Sequence, residues 1–318
     1  MADTIDVLAL GSVMIEITPT QAGVSLREAR ELVALPGGAS LNFAAALARL
    51  GVRVSLATAV GEDEWGEWLC ERMSELGVDA SRVKRVAGQL TTVSFCWVDQ
   101  LGGKRFYFYR APGHSDPIAE LSVADICGEG FGGARVFDFG EAAIRNPPLR
   151  GVALQAARAA RGAGLQVCYA VNYRASSWAV GRDEVVAVQR EACALADIVV
   201  MNREEVRLIS GDDDPERAIR RLADLGPQVV AVTGGEEGTL VAAEGTLVFV
   251  PPRPVTVLYD VGAGDVFHAG LLAGLIAGKS ALEAARFGSD AAALWISRPP
   301  DLSGLPTRQE VESLPSIG

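Results

Sequence analysis

The stretch Gly262-Ala263-Gly264-Asp265, followed by the apolar run Val266–Ala277, decides how this chain is read. Small residues let the backbone fold so that the first amide groups of the following helix point outward. Unpaired N–H groups and the helix dipole favour an anion there, so the segment predicts a phosphate cradle. Asp265 then sits on the first helical turn, where a carboxylate stays ionised and can accept a proton from an attacking alcohol. A plainer reading is a tight glycine turn in which Asp265 only complements the dipole. Taken alone, the segment does not separate the two. The nearby Ala277-Gly278-Lys279-Ser280 ends like a P-loop, but Ala273 stands where a glycine is required, and the segment closes a helix instead of opening one.

Outward from this segment, strands and helices alternate. Leu41–Leu50 reads as a helix, Val52–Val60 as a strand, Glu64–Leu76 as a helix, Arg135–Phe139 as a strand, Pro148–Arg161 as a helix and Leu165–Val171 as a strand. Glu184–Leu195 (helix), Asp197–Met201 (strand), Pro215–Leu225 (helix) and Gln228–Thr233 (strand) continue the pattern. The alternation predicts an α/β fold, a mostly parallel sheet wrapped by helices. Its first strand is Asp6–Leu10, an apolar run that stops at Gly11 as a buried parallel strand does. Ligands of such folds sit at the carboxyl ends of the strands. Val13–Thr18, Thr92–Val98 and Lys104–Arg110 break the alternation with β-branched and aromatic residues. They predict a small separate sheet, inserted at about 13–35 and 91–111 in a single domain spanning 1–318, whose exposed face makes a lid or a dimer surface.

With 318 residues, 49% of them hydrophobic and 22% charged, the chain can bury a large core. Its net charge of −11 repels nucleic acid and anionic membranes, so a site for phosphates must be made positive locally. The amino-terminal MADTIDVLALGSVMIEITP lacks the basic region and cleavage site of a secretory leader. No stretch is long and charge-free enough to span a bilayer, and the expected location is cytoplasmic. Cys70, Cys96, Cys127, Cys168 and Cys193 are widely spaced and read as reduced, mostly buried thiols. His114 and His268, the only histidines, leave no zinc-site spacing to consider.

A second informative stretch is Gly37-Gly38-Ala39-Ser40-Leu41-Asn42, which leads into an Ala-rich helix ending at Gly51. Two glycines before a helix allow a ligand close to the backbone, and Asn42 can both donate to and accept from hydroxyls. Read plainly, it is a turn and a helix start. Gly37-Gly38, Asn42, Ala44, Gly51 and Gly61 resemble the amino-terminal signature of the ribokinase-like (PfkB) carbohydrate kinases, and Gly262–Asp265 resembles their carboxyl-terminal signature. The resemblance covers the whole chain in the expected order. It implies a ribokinase-like fold with a β-sheet lid, and an ATP- and Mg²⁺-dependent sugar kinase in which the two motifs meet across one cleft. Asp265 is then the catalytic base, and the amides of Gly262, Ala263 and Gly264 surround the transferring phosphoryl group.

Further roles follow from the same resemblance. Asn202-Arg203-Glu204-Glu205 resembles the family's NxxE motif, which implies that Asn202 and Glu205 organise Mg²⁺ and phosphates, largely through water. On its own the motif reads as an Asn cap on an exposed helix. Thr233, Gly235 and Gly238 resemble the nucleotide loop, although Gly-Gly-Glu-Glu-Gly also reads as a turn between strands. Leu282–Ile296 resembles the helix beside the adenine, with Ser289 where Asn is common. Ser40 takes a place usually held by a small apolar residue or proline. Tyr259 occupies an aspartate position that contributes to a monovalent-cation site in some relatives, which leaves potassium dependence open.

Glu16 stands where the family's acidic residue holds sugar hydroxyls. Phe106–Arg110, Asn172-Tyr173-Arg174 and Trp178 resemble segments of 2-keto-3-deoxygluconate kinases, in which two arginines, here Arg110 and Arg174, grip the acid's carboxylate. Fructokinases carry a similar Asn-x-Arg motif. Phe108 stands where a substrate-contacting tyrosine is expected, and Ala170 replaces an aspartate. The expected activity is therefore phosphorylation of a primary hydroxyl, with 2-keto-3-deoxygluconate ahead of fructose. The alternative from another class is a sugar-binding regulator without turnover on the same fold. The apolar lid strands predict a homodimer.

Overall fold

The structure, a computed structural model, describes residues 4–21, 23–98, 104–109, 116–299 and 301–315. β1 (Val7–Leu10) is buried along its whole length, as its unbroken apolar sequence requires of a central strand. The chain then enters the lid as β2 (Met14–Pro19) and β3 (Leu32–Gly37), and returns through α1 (Ala39–Arg49), β4 (Val54–Gly61), α2 (Glu64–Glu75) and β5 (Val83–Val86). It re-enters the lid as β6 (Val93–Val98) and β7 (Lys104–Tyr109). The second half runs α3 (Val123–Cys127), β8 (Val136–Gly140), α4 (Glu141–Ile144), α5 (Leu149–Gly162), β9 (Gln166–Ala170), α6 (Arg182–Leu195) and β10 (Ile198–Asn202). It closes with α7 (Arg203–Ser210), α8 (Pro215–Ala223), β11 (Val229–Thr233), β12 (Thr239–Ala243), β13 (Thr246–Val250), α9 (Ala263–Ile276), α10 (Ala281–Ile296) and α11 (Arg308–Glu312).

Among the described residues the main sheet has the order β13-β12-β11-β10-β9-β8-β1-β4-β5. Every neighbouring pair from β11 to β5 is parallel, whereas β12 and β13 are antiparallel. The mostly parallel sheet and its helices match the sequence reading to within about two residues at most ends. The β12–β13 hairpin was not foreseen. It turns on Glu244 (φ 52°) and Gly245 (φ 72°), both left-handed, as a two-residue hairpin loop requires. Glu-Gly is a weak signal for that turn, and the sequence reading ended its alternation at β11. β5 was missed as well, because Val-Lys-Arg-Val is too short and too polar to stand out.

The lid is a second sheet, ordered β3-β2-β6-β7. β3 extends its first segment to Gly37, beyond the expected limit of 35, because Met14 pairs with Gly37 at the base of the hairpin. Arg110 and His114 lie outside the described residues.

α9 is buried nearly all round, and α10 lies close against it through small residues. A Cβ added at Gly270 would come within 2.6 Å of the Gly288 Cα. At Gly288 it would sit 2.7 Å from the Phe267 carbonyl oxygen and 2.9 Å from the Leu271 nitrogen, both backbone atoms that cannot swing away. Gly288→Ala is expected to lower stability by about 1–3 kcal/mol, the usual range for overpacking a core, and a denaturant midpoint measures it.

Candidate active site

β1 is the point where the chain's strand order reverses: β4 and β5 lie on one side of it, β8 and its successors on the other. Crevices form at the carboxyl ends of strands at such a point. The principal cavity opens there, beneath the lid. Ser12 and Glu16 reach it from the β1–β2 region, Gly38 and Asn42 from the start of α1, and Phe106 and Phe108 from the lid. Gly262 and Asp265 form its other wall.

The two glycine-containing stretches, far apart in sequence, meet here. Asn42 Nδ2 donates to Asp265 Oδ2 at 2.9 Å. Asp265 is the third residue of α9, as expected, and Gly262 caps that helix with φ 83°, a conformation open to glycine. The preceding turn is held by Trp295, whose Nε1–H donates to the Val261 carbonyl at 2.8 Å. The first helical bond runs from Val266 N–H to Gly262 O at 2.9 Å, and Ala263 N–H makes a longer contact of 3.4 Å to Asp260 O. The Ala263 amide, expected to point outward with its neighbours, is instead turned back on the Asp260 carbonyl.

Glu16 owes its place to both glycines before α1. The Gly38 N–H donates to Glu16 Oε1 at 3.3 Å, and a Cβ at Gly37 would lie 2.4 Å from the Glu16 carboxyl carbon. Gly37 itself is outside the cavity wall and acts by leaving room. Cross-strand register places Glu16 opposite Ser94, and Ser94 opposite Phe108, so they share one face of the lid. Burial pushes the Glu16 carboxyl up to about 7, against the pull of the Gly38 amide, and the negative charge of Asp265 adds to the rise.

The wall from β8 and β9 supplies residues that the sequence reading missed. Glu141, directly after β8, is buried and accepts from Arg174 N–H at 3.1 Å and from Trp178 Nε1–H. Burial raises its pKa, against the charge of Arg145 and these hydrogen bonds. Arg145, one turn on, lies 3.9 Å from both Glu141 and Asp116 and is almost enclosed. An acid and a base four residues apart after a strand were the available signal. Arg174 lines the cavity as expected, and so does Asn172, which is held at φ 41°, a left-handed value that Asn tolerates better than most side chains. Asp138 and His268 lie at the cavity wall too, His268 one turn after Asp265 on α9.

The residues expected to bind nucleotide and metal lie outside this cavity, at the ends of β10 and β11 and on α10. Asn202 and Glu205 form a capping box: Asn202 Oδ1 accepts from Glu205 N–H at 2.9 Å, and Glu205 Oε2 accepts from Asn202 N–H at 2.8 Å. The other Glu205 oxygen accepts from Tyr173 N–H at 2.6 Å. The Asn cap of the plain reading is therefore present, but the exposed helix with surface glutamates is not, because Glu205 is buried. Thr233 donates to the Met201 carbonyl at 3.4 Å. Gly235 and Gly238 have φ 58° and 76°, and Gly238 has no room for a side chain because a Cβ would meet Val250 O at 2.6 Å. Ser289 is half-buried on α10.

An α/β sheet with a cavity at its switch point, roofed by a second sheet and bounded by a helix-borne aspartate, supplies the enclosed space and the carboxylate that chemistry on a small molecule needs. Residues 4–308 match the family described as pfkB family carbohydrate kinase, and the chain belongs to that family. It is 32% identical over 316 residues to Fructokinase-1 of Oryza sativa subsp. japonica, with 97% of each protein covered. It is 28% identical over 313 residues to 5-dehydro-2-deoxygluconokinase of Clostridium perfringens (strain 13 / Type A), covering 96% of this chain and 91% of the relative. In fold it matches the structure of a fructokinase with bound ATP from Xylella fastidiosa, with a TM-score of 0.86, 24% identity and 97% of each chain covered. The protein is thus a sugar kinase.

Proposed function

We propose that this sugar kinase transfers the γ-phosphoryl group of ATP to a primary hydroxyl of a keto-deoxy sugar acid, with 2-keto-3-deoxygluconate as first candidate. The observation that carries the reading is the pair of guanidinium side chains, Arg145 and Arg174, lining the same cavity as Asp265. Guanidinium groups match a carboxylate in charge and shape. Arg110, the other arginine expected at the carboxylate, lies outside the described residues, and Arg145 is a further guanidinium at this cavity. A relative that acts on a deoxygluconate supports the acidic class. The second reading is fructose, favoured by the likeness to the rice fructokinase and by the carboxylates of Glu16 and Glu141, which suit hydroxyl groups.

In this mechanism Glu16 and Asn42 orient the sugar, and Asp265 accepts the proton of the attacking hydroxyl. An aspartate is a weak base for an alcohol, but in a loose transition state the proton leaves late. Amides at Gly262 and Gly264, joined by Ala263 when its contact to Asp260 O is released, balance charge on the transferring group. ATP extends towards Thr233, Gly235, Gly238 and Ser289, the residues that the family resemblance assigns to the nucleotide, and a fructokinase of the same fold has ATP bound. Glu205 and Asn202 keep lone pairs beyond their capping bonds, which fits contact with the water shell of Mg²⁺. Mg²⁺ would neutralise phosphate charge there. Tyr259 in place of an aspartate leaves a potassium requirement open, and cytoplasmic location suits the ATP supply.

Arg174→Leu tests the substrate. Loss of a charge-assisted contact costs about 1.5–3 kcal/mol, against about 0.5–1.5 for a neutral hydroxyl contact. Its kcat/KM for 2-keto-3-deoxygluconate is expected to fall about 10–100-fold, with a smaller change for fructose. A parent that phosphorylates fructose well and ignores the acid moves the assignment to fructokinase.

The lid also carries Phe95, Trp97, Tyr107 and Tyr109 on its outer face, Tyr107 being 58% and Tyr109 62% exposed. This aromatic surface supports the proposed homodimer. Light scattering at micromolar concentration is expected to give twice the chain mass, and a monomer mass would exclude the assembly.

A further inference from the structure

Behind Asp265, three buried side chains meet that phosphoryl transfer leaves without a task. Asp138 on β8 and Cys168 on β9 are register partners on adjacent parallel strands. His268 projects onto them from α9. Cys168 Sγ lies 3.2 Å from His268 Nε2, and Asp138 Oδ1 lies 3.3 Å from the same nitrogen. The imidazole stacks on Phe43 with ring centroids 4.1 Å apart, which fixes its plane. All three residues are at most 4% exposed.

Hydrogen bonding does not satisfy this cluster. A ring nitrogen carries either one hydrogen or one lone pair, so Nε2 serves one of its two neighbours well and leaves the other. Asp138 Oδ1 indeed lacks a hydrogen-bond partner although it is fully enclosed, an uncommon state for a buried carboxyl. A cation would satisfy all three donors together. Their ligand atoms lie within 4.8 Å of one another. Tetrahedral zinc, with bonds of about 2.0–2.1 Å to nitrogen and oxygen and about 2.3 Å to sulfur, holds its donors roughly 3.3–3.6 Å apart. The two separations involving Nε2 are close to that spacing.

We propose that Asp138, Cys168 and His268 bind a divalent transition cation of the zinc type, whose fourth position opens into the sugar cavity. The donor set selects the metal: thiolate and imidazole suit zinc and its neighbours, whereas Mg²⁺ prefers oxygen and keeps its waters. Asp138 and His268 line the cavity, which supplies the entry path and leaves room for a water or a substrate hydroxyl as fourth ligand. Binding is coordination without redox change; sulfur donates a lone pair, and the thiol proton leaves to solvent. His268 follows Asp265 by one turn of α9, and Asp138 lines the same cavity as both, so a cation here places positive charge near Asp265. It favours the ionised aspartate and weakens it as a proton acceptor, which makes the site inhibitory for the kinase. Sequence spacing did not reveal this site, because its donors come from three separate elements.

The test uses the whole protein, stripped of metal and titrated with Co²⁺ in the presence of excess Mg²⁺. The parent is expected to saturate at about one Co²⁺ per chain, with the near-ultraviolet thiolate-to-cobalt absorption and the intense visible bands of a tetrahedral site. Zn²⁺ should displace it. Cys168→Ala is expected to lose the thiolate band, and Asp138→Asn, which keeps the shape of the side chain, to weaken Co²⁺ binding at least tenfold. If Cys168→Ala fails to fold, judged by circular dichroism, Cys168→Ser replaces it and should lose the same band. In turnover assays, inhibition by micromolar Zn²⁺ should weaken at least tenfold with the thiolate gone. A parent without the band at millimolar Co²⁺ overturns the proposal, as does a band or a zinc inhibition that survives loss of the Cys168 thiol. The absorbance needs no substrate, so failure of the proposed sugar specificity leaves this result independent.

Discussion

Asp265→Asn is expected to lower kcat by about 10²–10⁴, the usual worth of a positioned general base, while leaving the fold intact. An amide cannot accept the hydroxyl proton. The amide oxygen can still accept from Asn42 Nδ2, which now donates to Asp265 at 2.9 Å, so the junction between the start of α1 and the start of α9 survives. Thermal melting should accordingly move little, and ATP binding by calorimetry should persist. Turnover within a few-fold of the parent would remove Asp265 as the base. A regulator without turnover would show no phosphorylated sugar with either protein.

The second large effect concerns stability. Glu16 has its carboxyl raised from 4.5 to about 7, chiefly by burial. Below pH 4.5 the folded and unfolded chains both hold this proton, and its burial carries no ionisation penalty. As pH rises from 4.5 towards 7 the unfolded chain releases the proton first, so stability falls, and above 7 the loss levels off. A shift of that size corresponds to at most about 3 kcal/mol, less where cavity water reaches the carboxyl. Glu16→Gln should therefore be more stable than the parent above pH 7 by up to about 3 kcal/mol, and nearly equal to it at pH 4. Denaturant unfolding of the two proteins across pH 4–8 gives the difference, which cancels other raised carboxyls such as Glu141 and Asp138. The same variant should bind sugar less well, because the carboxylate that costs stability is the one that the proposed mechanism uses to hold the hydroxyls. A parent and variant whose stabilities stay parallel across this range would show that Glu16 titrates normally.

Much of the architecture was legible along the chain. Alternation of apolar strands with amphipathic helices depends on nearest neighbours in sequence, and α5, expected at Pro148–Arg161, runs Leu149–Gly162. Elements stabilised by partners were harder to see. β5 exists because Thr58–Gly61 of β4 offers it an open edge, and four residues of mixed polarity do not announce that. The β12–β13 pair depends on a left-handed Glu244, a conformation that the residue type disfavours and the flanking strands impose.

The site divides in the same way. Its backbone-driven parts were readable, since a glycine before a helix and an aspartate in its first turn act locally: Gly38 and Gly262 take positive φ and Asp265 sits on the first turn of α9. The parallel body of the sheet, the presence of the lid, the family and the place of the proposed base were thus readable from local patterns along the chain. Tertiary structure decided which side chains share a cavity with that base. Arg145, Glu141, Asp138, Cys168 and His268 have ordinary sequence surroundings, and only parallel pairing of β8 with β9 under α9 brings the last three together. The physical reason is range: turn chemistry and helix starts are set within a few residues, whereas desolvation and charge coupling arise between groups that are distant in sequence until the core closes around them.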